Sequence, residues 1–168
     1  KKFLYTDNSH SIFVLDFATG NVKKIASEPQ YSPIKTIKGS WSPDSRWIAY
    51  TVNTLTYTRV LNVYSVEQDK SFAITDGLAD ISDPVFDKGG KSLYFFASTD
   101  AGPSNNWFSL ENADNRPTRS LWAAVLTKDA PSPLAPESDE EKPAPEKKDA
   151  PAADAAKPAA APAATGAA

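Results

Sequence analysis

Trp41-Ser42-Pro43-Asp44-Ser45-Arg46-Trp47-Ile48-Ala49-Tyr50-Thr51-Val52-Asn53 reads as a strand, a tight reversal and a second strand. Pro43 presets φ for the second turn position, and the Asp44 carboxylate can accept a hydrogen bond from the backbone just ahead of it. Working outward from this hairpin, residues 37–41 make a short inner strand and 47–53 its partner. Residues 60–66 form a third strand, with Val60, Asn62, Tyr64 and Val66 on one face and Leu61, Val63 and Ser65 on the other. Glu67-Gln68-Asp69-Lys70 is a polar reversal, and residues 71–75 make an outer strand before Asp76-Gly77. The unit is four short antiparallel strands.

The unit recurs. Leu4-Tyr5-Thr6-Asp7-Asn8, Ala49-Tyr50-Thr51-Val52-Asn53 and Leu93-Tyr94-Phe95-Phe96-Ala97 are spaced at roughly 45 residues, the period of a propeller blade. The alignment sets Trp41 to Tyr50 against Val85-Phe86-Asp87-Lys88-Gly89-Gly90-Lys91-Ser92-Leu93-Tyr94, so that Tyr94 falls on Tyr50. The first repeat enters late, with strands at 3–6, 12–17 and 22–26 and no innermost strand. The third has strands at 82–86 and 92–97, an insertion from about 98 to 118, and a strand at 119–126 whose outer partner is weak or absent. The expected fold is all-β: a partial propeller of about three four-stranded blades, the first and last incomplete. A helical reading fails because Gly, Pro and Asp interrupt the apolar runs too often. An immunoglobulin-like sandwich competes on strand length, but it does not explain the recurrence.

Composition divides the chain in two. Residues 1–126 hold every aromatic side chain and are the expected propeller; residues 127–168 are mostly Ala, Pro, Lys, Glu and Asp. Such a stretch cannot offset backbone ordering of about 1–2 kcal/mol per residue, so it is expected to be a disordered, charged spacer to the next domain. Recurring prolines, among them Pro143, Pro145, Pro151, Pro158 and Pro162, forbid a long helix there. The net charge of −3 and the absence of a basic patch argue against nucleic acid. No run approaches the length of a membrane span, and the first residues read as a short strand rather than a targeting segment. Lys1 is not an initiator Met, and the chain reads as entering a blade part-way.

Chemistry-bearing residues are sparse. There is no cysteine and one histidine, His10, which falls in the turn between two strands and is expected to be solvent-exposed. No Gly-x-Ser-x-Gly elbow occurs, so no catalytic residue is assigned. Asp76, Asp80, Asp83 and Asp87 are crowded, but a calcium loop needs six to eight oxygen ligands about a central Gly, and inter-blade turns explain the same residues. One His and no Cys make no zinc site, and no phosphate-loop pattern or other cofactor motif is present. Trp41, Trp47 and Trp122 lie in strands and are expected to pack between blades. Trp107 differs: it sits in Gly102-Pro103-Ser104-Asn105-Asn106-Trp107-Phe108-Ser109-Leu110, inside an insertion too long for a plain hairpin loop. Trp107, Phe108, Arg116 and Arg119 are the candidate contact residues for a peptide or a neighbouring domain, the plainer alternative being a flap folded on its own propeller.

The stretch Ser40 to Tyr50 resembles the WD-like repeat of TolB and of tricorn-type serine peptidases. Thr75-Asp76-Gly77, the run from Pro84 to Phe95, Arg119-Ser120-Leu121-Trp122-Ala123-Ala124-Val125-Leu126 and Pro131-Ser132-Pro133-Leu134-Ala135-Pro136-Glu137 narrow the resemblance to the end of the first propeller in bacterial tricorn-like peptidases. That resemblance implies a parent hydrolase that degrades peptides, in which two propellers precede a PDZ-like domain and a catalytic core. Its serine and histidine would lie outside these 168 residues. It further implies peptide substrates, contacts with other domains of the same polypeptide and a homo-oligomer. It favours a cytoplasmic over a periplasmic setting. The alternative is a non-enzymatic TolB-like propeller that binds a protein partner in the cell envelope.

Overall fold

The computed structural model describes residues 1–29, 37–100, 117–128, 130–133 and 135. Ten strands and no helix occur among them: β1 (Lys2–Thr6), β2 (Ser11–Asp16), β3 (Val22–Ser27), β4 (Gly39–Trp41), β5 (Trp47–Asn53), β6 (Arg59–Ser65), β7 (Lys70–Ala73), β8 (Asp80–Phe86), β9 (Ser92–Ser98) and β10 (Ser120–Val125). They form three antiparallel sheets in chain order, β1-β2-β3, β4-β5-β6-β7 and β8-β9-β10, here blades 1, 2 and 3. This is the architecture of a partial propeller. Among the described residues, none adds an inner strand to β1 of blade 1 and none pairs with the free side of β10.

Hydrogen bonds at one end of the strands align the three blades. Phe17 N–H donates to Lys1 O at 3.0 Å, Val66 N–H to Arg46 O at 2.9 Å and Leu126 N–H to Lys91 O at 2.9 Å. Each bond closes the same position after the third strand of a blade. The turns between inner and second strands match as well. Ser42 N–H bonds Trp47 O at 2.9 Å, and Asp87 N–H bonds Ser92 O at 3.0 Å. In both, the residue three further on, Ser45 or Gly90, has a left-handed backbone, with φ of 59° and 66°.

This pairing corrects the sequence alignment by one residue in blade 3. If Ser42 and Trp47 correspond to Asp87 and Ser92, then Tyr50 corresponds to Phe95, and Tyr94 to Ala49. The cores agree. Ile48 and Tyr50 pack with Ile12, Val14 and Tyr64 in the seam between blades 1 and 2. Leu93, Phe95 and Ala97 pack with Ala49, Leu61 and Val63 in the seam between blades 2 and 3. Tyr5 does correspond to Tyr50: Leu4 packs into the first seam while Phe3 and Tyr5, stacked at 6.2 Å, take the other face. A one-residue slip sends every side chain of a strand to the opposite face, and the adjacent Tyr94-Phe95 pair gives sequence comparison two equal choices. The β8–β9 register is further disturbed by a bulge between Ser82 and Val85, where Pro84 removes an N–H and Asp83 adopts φ 51°.

Two tryptophans behave as expected: Trp41 and Trp47 are half-buried against the seams. Trp122 does not. It is 49% exposed, because no described strand covers the outer side of β10.

Candidate functional site

Consecutive strands alternate direction, so the connections fall on two rims. One rim carries the tight turns. The other carries the β1–β2 and β5–β6 loops, the described ends of the crossings between blades, and the two feet of the insertion between β9 and β10. Ligand-binding residues collect on connections that a rigid sheet holds in place, so this second rim is the candidate site.

Its loops repeat one geometry. Asp7 N–H bonds Ser11 O at 3.1 Å, and Thr54 N–H bonds Thr58 O at 2.8 Å, each closing a five-residue loop. The fourth residue is left-handed in both: His10 at φ 54° and Tyr57 at φ 63°. A bulky side chain at positive φ stores strain, and local bonds hold it. In the first loop the Asp7 carboxylate accepts from Ser9 N–H at 3.0 Å and Ser11 N–H at 2.9 Å. In the second, the hydroxyls of Thr54, Thr56 and Thr58 bond one another at 2.8, 3.0 and 3.1 Å. Gly77 lies against this loop with φ 90°; a Cβ there would sit 3.2 Å from Val60 and 3.8 Å from Thr54, so a side chain would be both strained and crowded. The outcome is a stiff rim on which Leu55, Tyr57 and Leu78 stand exposed.

The insertion leaves from a closed neck. Asp100 accepts hydrogen bonds from Ser98 Oγ at 3.0 Å, from Thr118 N–H at 3.2 Å and from the Thr118 hydroxyl, tying one foot to the other. These bonds, led by the Thr118 hydroxyl, hold the Asp100 carboxyl below its ordinary value. Arg119 is exposed immediately beyond the neck. Trp107, Phe108 and Arg116, the other three residues singled out from sequence, lie outside the described residues. Sequence reasoning missed Leu55, Tyr57 and Leu78; the equal lengths of the Asp7–Ser11 and Thr54–Thr58 loops are a signal for Leu55 and Tyr57, whereas no spacing points to Leu78.

His10 corrects the expectation of an exposed turn residue. It is 5% exposed, and its Nδ1 lies 2.6 Å from Oε2 of the buried Glu28. Glu28 N–H also bonds His10 O at 2.9 Å, so the pair pins the end of β3 to the β1–β2 loop. The neighbouring hydroxyls of Ser11 and Ser27 bond each other at 2.8 Å, not the imidazole, and the arrangement is that of a structural clasp. The four crowded aspartates are separated by their partners. Asp80 pairs with Arg59 and Asp83 with Lys38, while Asp76 and Asp87 accept from backbone N–H groups of their own turns. Among the described residues no three His, Cys, Asp or Glu side chains converge on a common point.

No family model matches the chain. It is 27% identical over 106 residues to a tricorn-like protease C-terminal subunit of Sulfurisphaera tokodaii, covering 63% of this chain and 12% of that protein. The same identity over 106 residues holds for a tricorn protease homolog of Saccharolobus solfataricus, of which 10% is covered. Among solved structures, the tricorn protease superposes with a TM-score of 0.60 at 23% identity, over 83% of this chain and 14% of that one. The chain thus matches about an eighth or less of each curated relative, and it is similar to a propeller segment of tricorn-like proteases.

Proposed function

We propose that the chain is a non-catalytic wall of a tricorn-like protease, and that its loop rim, with the insertion between β9 and β10, admits extended peptides toward a catalytic domain elsewhere in the assembly. The closed neck at Asp100 and Thr118 is the observation that supports this most directly. It fixes the two feet of the insertion, whose sequence carries Trp107, Phe108 and Arg116, on the rim where Arg119, Leu55, Tyr57 and Leu78 are exposed. Steric selection requires walls of fixed width and no reagents, which agrees with a blade set whose histidine is locked in a buried clasp.

Apolar and cationic side chains on that rim suit an extended peptide with mixed side chains. Other domains of the same polypeptide and further copies of the enzyme are the proposed neighbours. Removing residues 101–115 from the whole enzyme tests the reading. The expected result is faster cleavage of long or partly folded substrates, with short chromogenic peptides turned over as before. Unchanged rates on both substrate classes, in an enzyme of unchanged assembly, reject it.

A further inference from the structure

The outer edges of the three blades differ, and the difference bears on the polypeptide beyond β10. A strand that ends a sheet exposes unpaired N–H and C=O groups, and natural edges are guarded against stray pairing, most often by lysine. The outermost strand of blade 1, β3, carries Lys23 and Lys24, and that of blade 2, β7, begins with Lys70. β10 reads Ser-Leu-Trp-Ala-Ala-Val, without a charge, a proline or a bulge. It is built as an interior strand.

The surface beside it says the same. Phe72 and Ile74, on and just after β7, are 37% and 41% exposed, although they face blade 3. With Trp47, Phe86 and Leu126 they line an apolar groove of about 530 Å³. A second groove of about 350 Å³ continues from Ile74 to Leu78 and Trp122. The first runs from the inner turns of blades 2 and 3 to Phe72, Ile74 and Leu126, and the second lies beside Trp122 of β10. Register follows from blade 2. Because Val66 and Leu126 make the same closing bond, Asn62, Val63, Tyr64 and Ser65 correspond to Trp122, Ala123, Ala124 and Val125. In blade 2 these four residues pair with Ala73, Phe72, Ser71 and Lys70.

We propose that the free edge of β10 is occupied by an antiparallel strand of the same polypeptide, encoded beyond Ala168, and that the Pro/Ala-rich stretch is therefore a long insertion within the blade 3 hairpin rather than a spacer to another domain. The stretch itself cannot be that strand. From 127 to 168 it holds no aromatic residue and no Val or Ile, and it leaves β10 through turns closed by Ala130 N–H to Thr127 O and Ala135 N–H to Ser132 O. Looping it out is permitted, because closure entropy grows only with the logarithm of loop length. The incoming strand should present apolar residues opposite Trp122 and Ala124, which face blade 2, and thereby cover Phe72 and Ile74. The matched relatives, of which this chain covers 12% and 10%, are far longer than the match.

Amide exchange read by mass spectrometry, on residues 1–168 and on the polypeptide with its natural continuation, tests the proposal. The expected result is exchange at residues 122–125 slowed at least about a hundredfold in the longer polypeptide, together with a newly protected strand after the Pro/Ala-rich stretch. Should residues 1–168 not hold their fold alone, the longer polypeptide nicked within 140–165 decides: the two pieces stay associated until denatured. Equal exchange at β10 in both polypeptides, pieces that separate on nicking, or a coding frame that stops at Ala168 each overturn it. So does protection in residues 1–168 that rises with concentration as a dimer forms, which assigns the edge to a second copy. None of these outcomes depends on whether the loop rim admits peptides.

Discussion

The seam between blades 1 and 2 and the seam between blades 2 and 3 use the same strand positions but place their charges differently. Among the described residues the first has an apolar centre in Ile12, Val14, Ile37, Ile48, Tyr50 and Tyr64, buried together, and an ion pair, Lys23 with Asp69, at the exposed perimeter. The second has an equally apolar centre in Ala49, Leu61, Val63, Ile81, Leu93, Phe95 and Ala97, but also an ion pair inside it. Arg59 Nε and Nη2 donate to the two carboxylate oxygens of Asp80 at 2.8 and 2.7 Å, and the Arg59 backbone N–H donates to Oδ1 at 3.0 Å, with both side chains buried. Apolar area is non-directional, and it leaves two stacked sheets free to slide. A bidentate pair fixes one strand start against the next blade's inner strand. The second seam therefore gains register from its buried charges, and the first must obtain it from shape.

The largest effect should come from breaking the buried pair on one side. Asp80→Ala or Arg59→Ala removes one side of the buried bidentate contact in the second seam and should cost about 3–5 kcal/mol in urea unfolding. Replacing both, as Arg59→Met with Asp80→Leu, should recover most of that loss, because desolvation had cancelled much of the pair's attraction. If the double variant is no more stable than the single ones, the pair is a net source of strength and the contrast between the seams fails.

Shape governs the first seam at Gly39. A Cβ on Gly39 would sit 2.9 Å from both Ile12 Cδ1 and Leu4 Cδ2, so blade 1 packs directly onto bare backbone. Gly39→Val should cost about 1–3 kcal/mol by overpacking. Gly39→Ala should fall at the low end, since the crowded atoms are the ends of flexible side chains. Leu4→Ala combined with Gly39→Val should be less destabilising than the sum of the two. Simple additivity, measured by the same unfolding assay, would show that the two groups do not meet.

Sequence reading reached the strands and their grouping because both are local. Alternating apolar residues and the Pro43-Asp44 and Gly89-Gly90 reversals locate the hairpins within a residue or two. It placed the insertion, and it noticed that β10 lacked an obvious partner. Facing was less accessible: Tyr94 could be matched to Tyr50 only if Phe95 were ignored, and the slip shows in the turn hydrogen bonds and in which side chains enter each seam. Partners distant in sequence were out of reach. His10 finds Glu28, and Arg59 finds Asp80, across separate strands, and no spacing rule announces either. The same holds for Leu78, which folding alone brings to the rim that carries Leu55 and Tyr57.

The smallest effect, and the most diagnostic of perimeter charges, belongs to Lys23 and Asp69. Hydrogen bonds from Lys23 first, and then from the Tyr64 hydroxyl at 2.7 Å, hold the Asp69 carboxyl below its ordinary 3.8. A depressed carboxyl stabilises the fold above its unfolded value and loses that contribution as pH falls through the folded value, so this contact acts above about pH 4 and fades below it. Tyr64 has the opposite sign. Burial, and then Asp69, push its phenol up to about 12 from 10, so its contribution is complete below pH 10 and is lost as pH rises toward 12. Asp69→Asn should bring the Tyr64 titration, followed by phenolate absorbance, part of the way back toward 10. It should stop short, because burial is the larger cause and remains. Lys23→Ala should raise the Asp69 carboxyl toward its ordinary value, with a thermal shift near the limit of detection that vanishes in high salt. A salt-independent loss of stability would mean that the first seam also relies on charge, and the contrast between the two seams would no longer hold.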